Sequence, residues 1–104
     1  MLDDLLLPMY EDGYYPDFLV TELKQHIVQF ARRVSKSGLS DADIYRYAHE
    51  TIVQMNEMKP KFADMDSALD DTAADYIAEA MMMVVQDAGY FEIEMEELVS
   101  NREW

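Results

Sequence analysis

Residues 67–89 read SALDDTAADYIAEAMMMVVQDAG and form the longest uninterrupted periodic stretch of the chain. Apolar side chains recur there at spacings of three and four, at Leu69, Ala73, Tyr76, Ile77, Ala80, Val84 and Ala88. This spacing predicts a helix with one buried face. We expect Asp66 or Ser67 to cap its N-terminus and Gly89 to end it in the left-handed conformation.

The rest of the chain predicts further helices. Residues 17–36 carry an apolar stripe, and residues 40–58 begin with a pattern, Ser40 to Asp43, that resembles a capping box. A single helical turn that Pro8 ends and a short helix at residues 94–101 are expected at the two termini. The predicted fold class is therefore all-α, a compact bundle of three long helices plus one or two short terminal helices, in a single domain at 1–104.

The charge is strongly negative and unevenly distributed. The formal net charge is −14, and residues 64–104 carry twelve acids against Arg102 alone. Such a charge argues against direct binding of nucleic acid or of an anionic membrane, because both would be repelled. It favours a basic protein partner, or else it only keeps the outer faces of the helices hydrated. The residues expected to bind the partner are Asp71, Asp75, Glu79, Glu94, Glu96 and Glu97.

Sequence motifs for catalysis, cofactors or metals are lacking. The chain has no Cys, no Gly-rich phosphate loop and no HExxH motif. Glu22 with His26, and His49 with Glu50, are the nearest approach to metal ligands, but the paired Glu-x-x-His motif of di-iron bundles is missing. We therefore expect no catalytic residues, no metal and no cofactor. The lack of Cys and of a membrane span fits a cytoplasmic protein.

An aromatic cluster surrounds the turn signal Asp12-Gly13. It comprises Tyr10, Tyr14, Tyr15 and Phe18. These rings either close the end of the bundle as a hydrophobic plug or line a pocket, which the C-terminal Trp104 would join. A soft surface around residues 81–83, three consecutive methionines, is a further possibility beside a purely structural role.

Two segments resemble a known family. They are MYEDGYYPDFLV at residues 9–20 and EELVSNREW at residues 96–104, and they are similar to segments of a family of small bacterial proteins of unknown function. The resemblance implies no activity and no catalytic residues. It does imply that the aromatic cluster and the C-terminus belong together, with Trp104 packed near Tyr14 and Tyr15.

Three functions remain open from the sequence. The first is a non-enzymatic, acidic helical binding protein, in its most concrete form an inhibitor or immunity-type protein that covers the basic active site of a toxin or nuclease. The second is a small enzyme or ligand-binding bundle with an aromatic pocket near Tyr14 and His26, or with His49. The third is a homo-oligomer, which the strong negative charge disfavours, so a monomer or a weak homodimer is expected.

Overall fold

Helices make up most of the described chain. The computed structural model describes residues 4–104, and its helices are α1 Leu7–Asp12, α2 Asp17–Val34, α3 Asp41–Asn56, α4 Lys59–Asp64, α5 Asp71–Asp87 and α6 Met95–Leu98. Residues 4–104 contain no strand. The predicted all-α class with three long helices is confirmed. An additional short helix, α4, lies between α3 and α5. The radius of gyration of 13.1 Å is that of a compact chain of this length.

The core lies where α2 packs against both α3 and α5. Its largest fully buried side chains include Leu23, Ile27 and Phe30 of α2 and Ile44 and Ile52 of α3. α6 packs against α5 and α3. Both α2 and α6 therefore cover part of α5.

The buried surface of α5 is wider than the sequence pattern predicts. Besides the expected stripe, four positions missed by the pattern are also buried: Ala74, Ala78, Met81 and Val85. Ala88, which was expected to point inward, is exposed, because it lies at the C-terminal cap of α5, beyond the region that α2 and α6 cover. Met65, before α5, and Met95, at the start of α6, are also exposed, at 50% and 38%.

The start of α5 differs from the prediction. Its N-cap is Asp70, whose carboxylate accepts from the Ala73 N–H at 2.9 Å, and neither Asp66 nor Ser67 is the cap. Asp66 instead closes α4 in the left-handed conformation, with φ 54°. The N–H groups of Asp66 and Ser67 bond to carbonyls of the last turn of α4, so both residues terminate the preceding helix.

Two other helix ends follow their sequence signals, whereas α2, α3 and α6 end two or three residues before the predicted bounds. Ser40 and Asp43 form the expected capping box, and Gly89 has φ 100° with bonds from residues 89 and 90 back to the last turn of α5. Pro8 lies in the first turn of α1, a helix that continues to Asp12, and not at the end of a helix. A proline fits there because its missing N–H would have no intrahelical partner. Leu2, the first apolar residue of the turn predicted before Pro8, lies outside the described residues.

Candidate functional site

A groove of about 540 Å³ runs between α5 and the C-terminal segment, which we define as residues 94–104. Ala74 and Ala78 of α5 and Val99 of the C-terminal segment are its buried lining residues. The side chains of the two alanines are single methyl groups, so they leave space on the α5 side of the groove. Met95 lines the same groove and is partly exposed, so its flexible side chain is accessible to a ligand.

Side chains of α3 hold the first part of the C-terminal segment in place. The phenol of Tyr45 accepts from the Glu94 N–H at 3.0 Å. One turn further along α3, His49 Nε2 lies 2.8 Å from the carbonyl oxygen of Glu97. The two α3 rings are stacked with their centroids 6.5 Å apart. These contacts fix α6, which with four residues is too short to be stable alone.

The last residues are held in the same manner. Asn56 Nδ2 donates to the Asn101 carbonyl at 3.2 Å, and Asn56 Oδ1 accepts from the Glu103 N–H at 2.9 Å. Lys59 Nζ donates to the Glu103 carbonyl at 2.7 Å, and Asn101 Nδ2 donates to the His49 carbonyl at 3.0 Å. The C-terminal segment is therefore anchored chiefly by bonds between a side chain and a main chain.

Two of the six predicted partner-binding acids line this groove together. They are Asp75 from α5 and Glu96 from α6. Asp71 and Glu79 lie one helical turn before and after Asp75 on the exposed face of α5. The remaining two, Glu94 and Glu97, are exposed on the C-terminal segment but do not line the groove.

None of these six acids has an ion pair within the described residues. The ion pairs there are Arg33–Glu50 at 2.5 Å, Lys61–Glu22 at 2.9 Å and Arg46–Asp43 at 3.3 Å. All three lie on α2, α3 and α4. The basic side chains thus neutralise acids on that side of the molecule, and the face formed by α5 and α6 keeps its negative charge.

Arg102 is the one basic side chain of residues 62–104, and it lines the groove. Its guanidinium donates to the backbone oxygen of Trp104 and lies 5.7 Å from the centre of the Trp104 ring. It makes no ion pair with Asp75 or Glu96. The guanidinium of Arg102 is therefore bonded to the backbone of the same C-terminal segment, and it lines the groove together with Asp75 and Glu96.

The predicted aromatic residues occupy several different places. Tyr15 is buried, with 2% exposure, while Tyr14 packs edge-on against it at 5.1 Å and remains 47% exposed. Phe18 is 61% exposed. Tyr10 lines a different groove, along the outer side of α2, and its hydroxyl lies 2.6 Å from Thr21 Oγ1.

Trp104 belongs to the C-terminal segment, and the two histidines lie on α2 and α3. Trp104 packs against the core while its segment is bonded to α3 and Lys59, whereas Tyr15 is bonded to Asp70 at the start of α5. The contacts that fix the two ends therefore involve different helices. His26 lines grooves between α2 and α3, and neither groove includes Tyr14.

Ser100 and His49 approach each other but do not form a nucleophile and base. Ser100 Oγ lies 3.2 Å from His49 Nε2. The same nitrogen faces the Glu97 carbonyl oxygen at 2.8 Å, which can only accept, so Nε2 carries a hydrogen and donates it. A nitrogen in that state cannot take the proton of the Ser100 hydroxyl, as an activated serine requires.

The sequence pattern missed the residues that build the groove. Ala74 and Ala78 lie outside the apolar stripe, and the roles of His49 and Asn56 as anchors of the C-terminal segment had no visible signal. Within residues 4–104 no group of three or more metal-ligating side chains is arranged to hold an ion. No helix in that part is long and apolar enough to cross a membrane.

The fold and the groove together define a class of protein. Its described part is all-helical, with an open groove lined by Asp75, Glu96 and Arg102 and with ion pairs on α2, α3 and α4. The chain belongs to the Family of unknown function (DUF5713), which matches residues 2–104. This confirms the predicted resemblance to a family without an assigned activity. No curated protein and no solved structure matches the chain significantly.

Proposed function

We propose that this protein is a non-enzymatic binding protein whose acidic face, formed by α5 and α6, engages a basic protein partner. The observation that carries the proposal is the unpaired state of the six acids on that face, described above. An inhibitor or immunity-type role, in which the face covers the basic active site of a toxin or nuclease, is the most concrete form of this proposal.

The charge distribution supports the proposal in two ways. Unpaired carboxylates raise the rate of encounter with a basic protein by electrostatic steering, and they do so most at low salt. Complementary charge also rejects acidic partners. Because the acids make no ion pair within residues 4–104, a partner's cation does not have to displace such a contact there.

Affinity capture with matched baits tests the proposal. The wild-type protein, the variant Asp75→Lys with Glu79→Lys, and the control Glu11→Lys with Asp12→Lys would each be exposed to a lysate of the source organism. Both pairs of positions are exposed on helices, and both variants change the charge equally. We expect one basic protein on the wild-type and control baits at low salt, released at high salt and missing from the α5 variant. Equal retention by the α5 variant would contradict the proposal.

Two further expectations go with it. We place the protein in the cytoplasm and expect it to be a monomer or a weak homodimer when no partner is bound. Sedimentation of the purified chain measures the second expectation directly.

A further inference from the structure

The groove between α5 and the C-terminal segment has features that select one kind of polypeptide. We propose that it docks an amphipathic basic helix, which lies alongside α5 with apolar side chains against Ala74 and Ala78 and with Lys or Arg side chains facing the acids of α5. The inference rests on the proposed function and names the form of the basic partner.

The shape of the groove fits side chains from a helix. Its floor is apolar, with Ala74, Ala78 and Val99 each less than a tenth exposed. Small side chains at positions four apart on one helix let a second helix approach closely. At about 540 Å³ the groove has room for several side chains, and Met95 at its edge can adapt to their shapes.

The acids of α5 have the same spacing as side chains at every fourth position of a partner helix. Asp71, Asp75 and Glu79 are exposed and four residues apart, so successive carboxylates lie about 6 Å apart along the helix axis. Lys or Arg side chains at every fourth position of a partner helix have the same spacing. A helix that lies alongside α5 can therefore place one cation opposite each acid. A partner whose cations have a different spacing cannot do so.

Other modes of peptide recognition do not fit this surface. Extended peptides gain affinity from main-chain bonds to the edge of a sheet, and residues 4–104 contain no strand. Proline-rich peptides bind in grooves lined with aromatic side chains, whereas the groove here is lined by Ala, Val, Met, Ser, Asp, Glu and Arg. Among extended, proline-rich and helical peptides, the helical peptide is the one that fits this groove.

A synthetic peptide tests the inference directly. The probe is a fluorescent peptide of about 18 residues, or five helical turns, built of leucine and lysine with all leucines on one face. A second peptide has the same composition in an order that spreads the leucines around the helix. Binding to the purified protein is measured by fluorescence anisotropy, with the variants Asp75→Asn with Glu79→Gln and, as a matched control, Glu11→Gln with Asp12→Asn.

We expect the amphipathic peptide to bind at least about tenfold more tightly than the rearranged one, because only the first can bury an apolar face. We also expect the α5 variant to weaken binding several-fold and the control to leave it unchanged. If the amphipathic peptide binds both variants equally, the groove assignment is wrong.

The remaining outcomes separate this inference from the proposed function. If both peptides bind equally well and the α5 variant weakens both, the helical partner is overturned, while the acidic face remains a site for basic proteins. If neither peptide binds although lysate capture depends on Asp75 and Glu79, the helical partner is overturned, and the proposed function remains. If the unliganded protein sediments as a dimer that the peptide splits, the occupant is a second copy, and the proposal fails.

Discussion

The hydroxyl of Tyr15 donates a 2.6 Å hydrogen bond to Asp70 Oδ1 across 55 residues of sequence. The same oxygen accepts from the Ala73 N–H at 2.9 Å, the capping bond of α5. Tyr15 is buried, so water has little access to this contact. The bond attaches the loop after α1 to the start of the helix that carries the acidic face.

Replacing Tyr15 with Phe should lower the free energy of unfolding by about 1.5–3 kcal/mol, since the lost bond is to a charged group. Urea denaturation measures the change. Tyr14→Phe is the matched control, because the Tyr14 ring is about half exposed and its substitution should change stability by less than about 0.5 kcal/mol. Equal effects of the two substitutions would show that the Tyr15 bond contributes nothing.

The stability contributed by Tyr15 should disappear in alkali. Burial, and then the Asp70 carboxylate, raise the pKa of the Tyr15 phenol in the folded protein well above its usual value, which is about 10 in the unfolded chain. The fold favours the protonated phenol. The stability that Tyr15 contributes is therefore complete below pH 10, and it is lost as the pH rises from there toward the pKa of Tyr15 in the folded protein.

Urea denaturation from pH 8 upward, on wild type and Tyr15→Phe together, checks this expectation. The difference in unfolding free energy between the two proteins should narrow above about pH 10. All other groups are the same in the two proteins, so their effects cancel in the difference. A constant difference up to the alkaline limit of folding would contradict the assignment.

Asn56→Ala should release the end of the C-terminal segment. It removes the bonds to the Asn101 carbonyl and the Glu103 N–H, at a cost of about 1–3 kcal/mol. Trp104 is the single tryptophan, so its fluorescence should shift to the red while the helical circular dichroism is retained. Gln54→Ala, an exposed position on the same helix, should leave the emission unchanged. A variant spectrum identical to wild type would place the anchor elsewhere.

Arg102→Gln should tighten the binding of a basic partner. The substitution removes the positive charge that lies in the groove beside Asp75 and Glu96, a gain of about 0.2–1 kcal/mol at an exposed site. Titration of the amphipathic lysine peptide measures the affinity, and low salt enlarges the effect. Arg46→Gln, on α3 away from the groove, is the control for net charge. Weaker binding by the Arg102 variant would mean that this side chain attracts the partner.

Much of the fold could be predicted from the sequence, because local signals decide it. The apolar stripes of α2 and α3 and the cap at Ser40 depend on residues close together in the chain. The start of α5 could not be predicted so well. Asp66, Ser67 and Asp70 all have side chains suited to a cap, and the contact that distinguishes Asp70 comes from Tyr15, far away in sequence.

The site could be predicted only as a distribution of charge. The excess of acids after residue 64 predicts that α5 and the C-terminal segment carry most of the negative charge, because charge can be counted in a sequence. The pairing of Asp75 with Glu96 in one groove depends on the packing of α6 beside α5. That packing uses alanines, which give a weak apolar signal, and bonds to main-chain atoms, which leave no pattern in the sequence.

The anchoring of residues 94–104 to α3 has a consequence for evolution. Most of the bonds that hold this segment end on its own peptide groups, at Glu94, Glu97, Asn101 and Glu103. Every residue type except proline presents those same groups. The outward side chains, Glu96 and Arg102 among them, can therefore mutate without loosening the attachment. Homologues can therefore differ in the charge and shape of this surface while the backbone beneath it keeps the same attachment to α3.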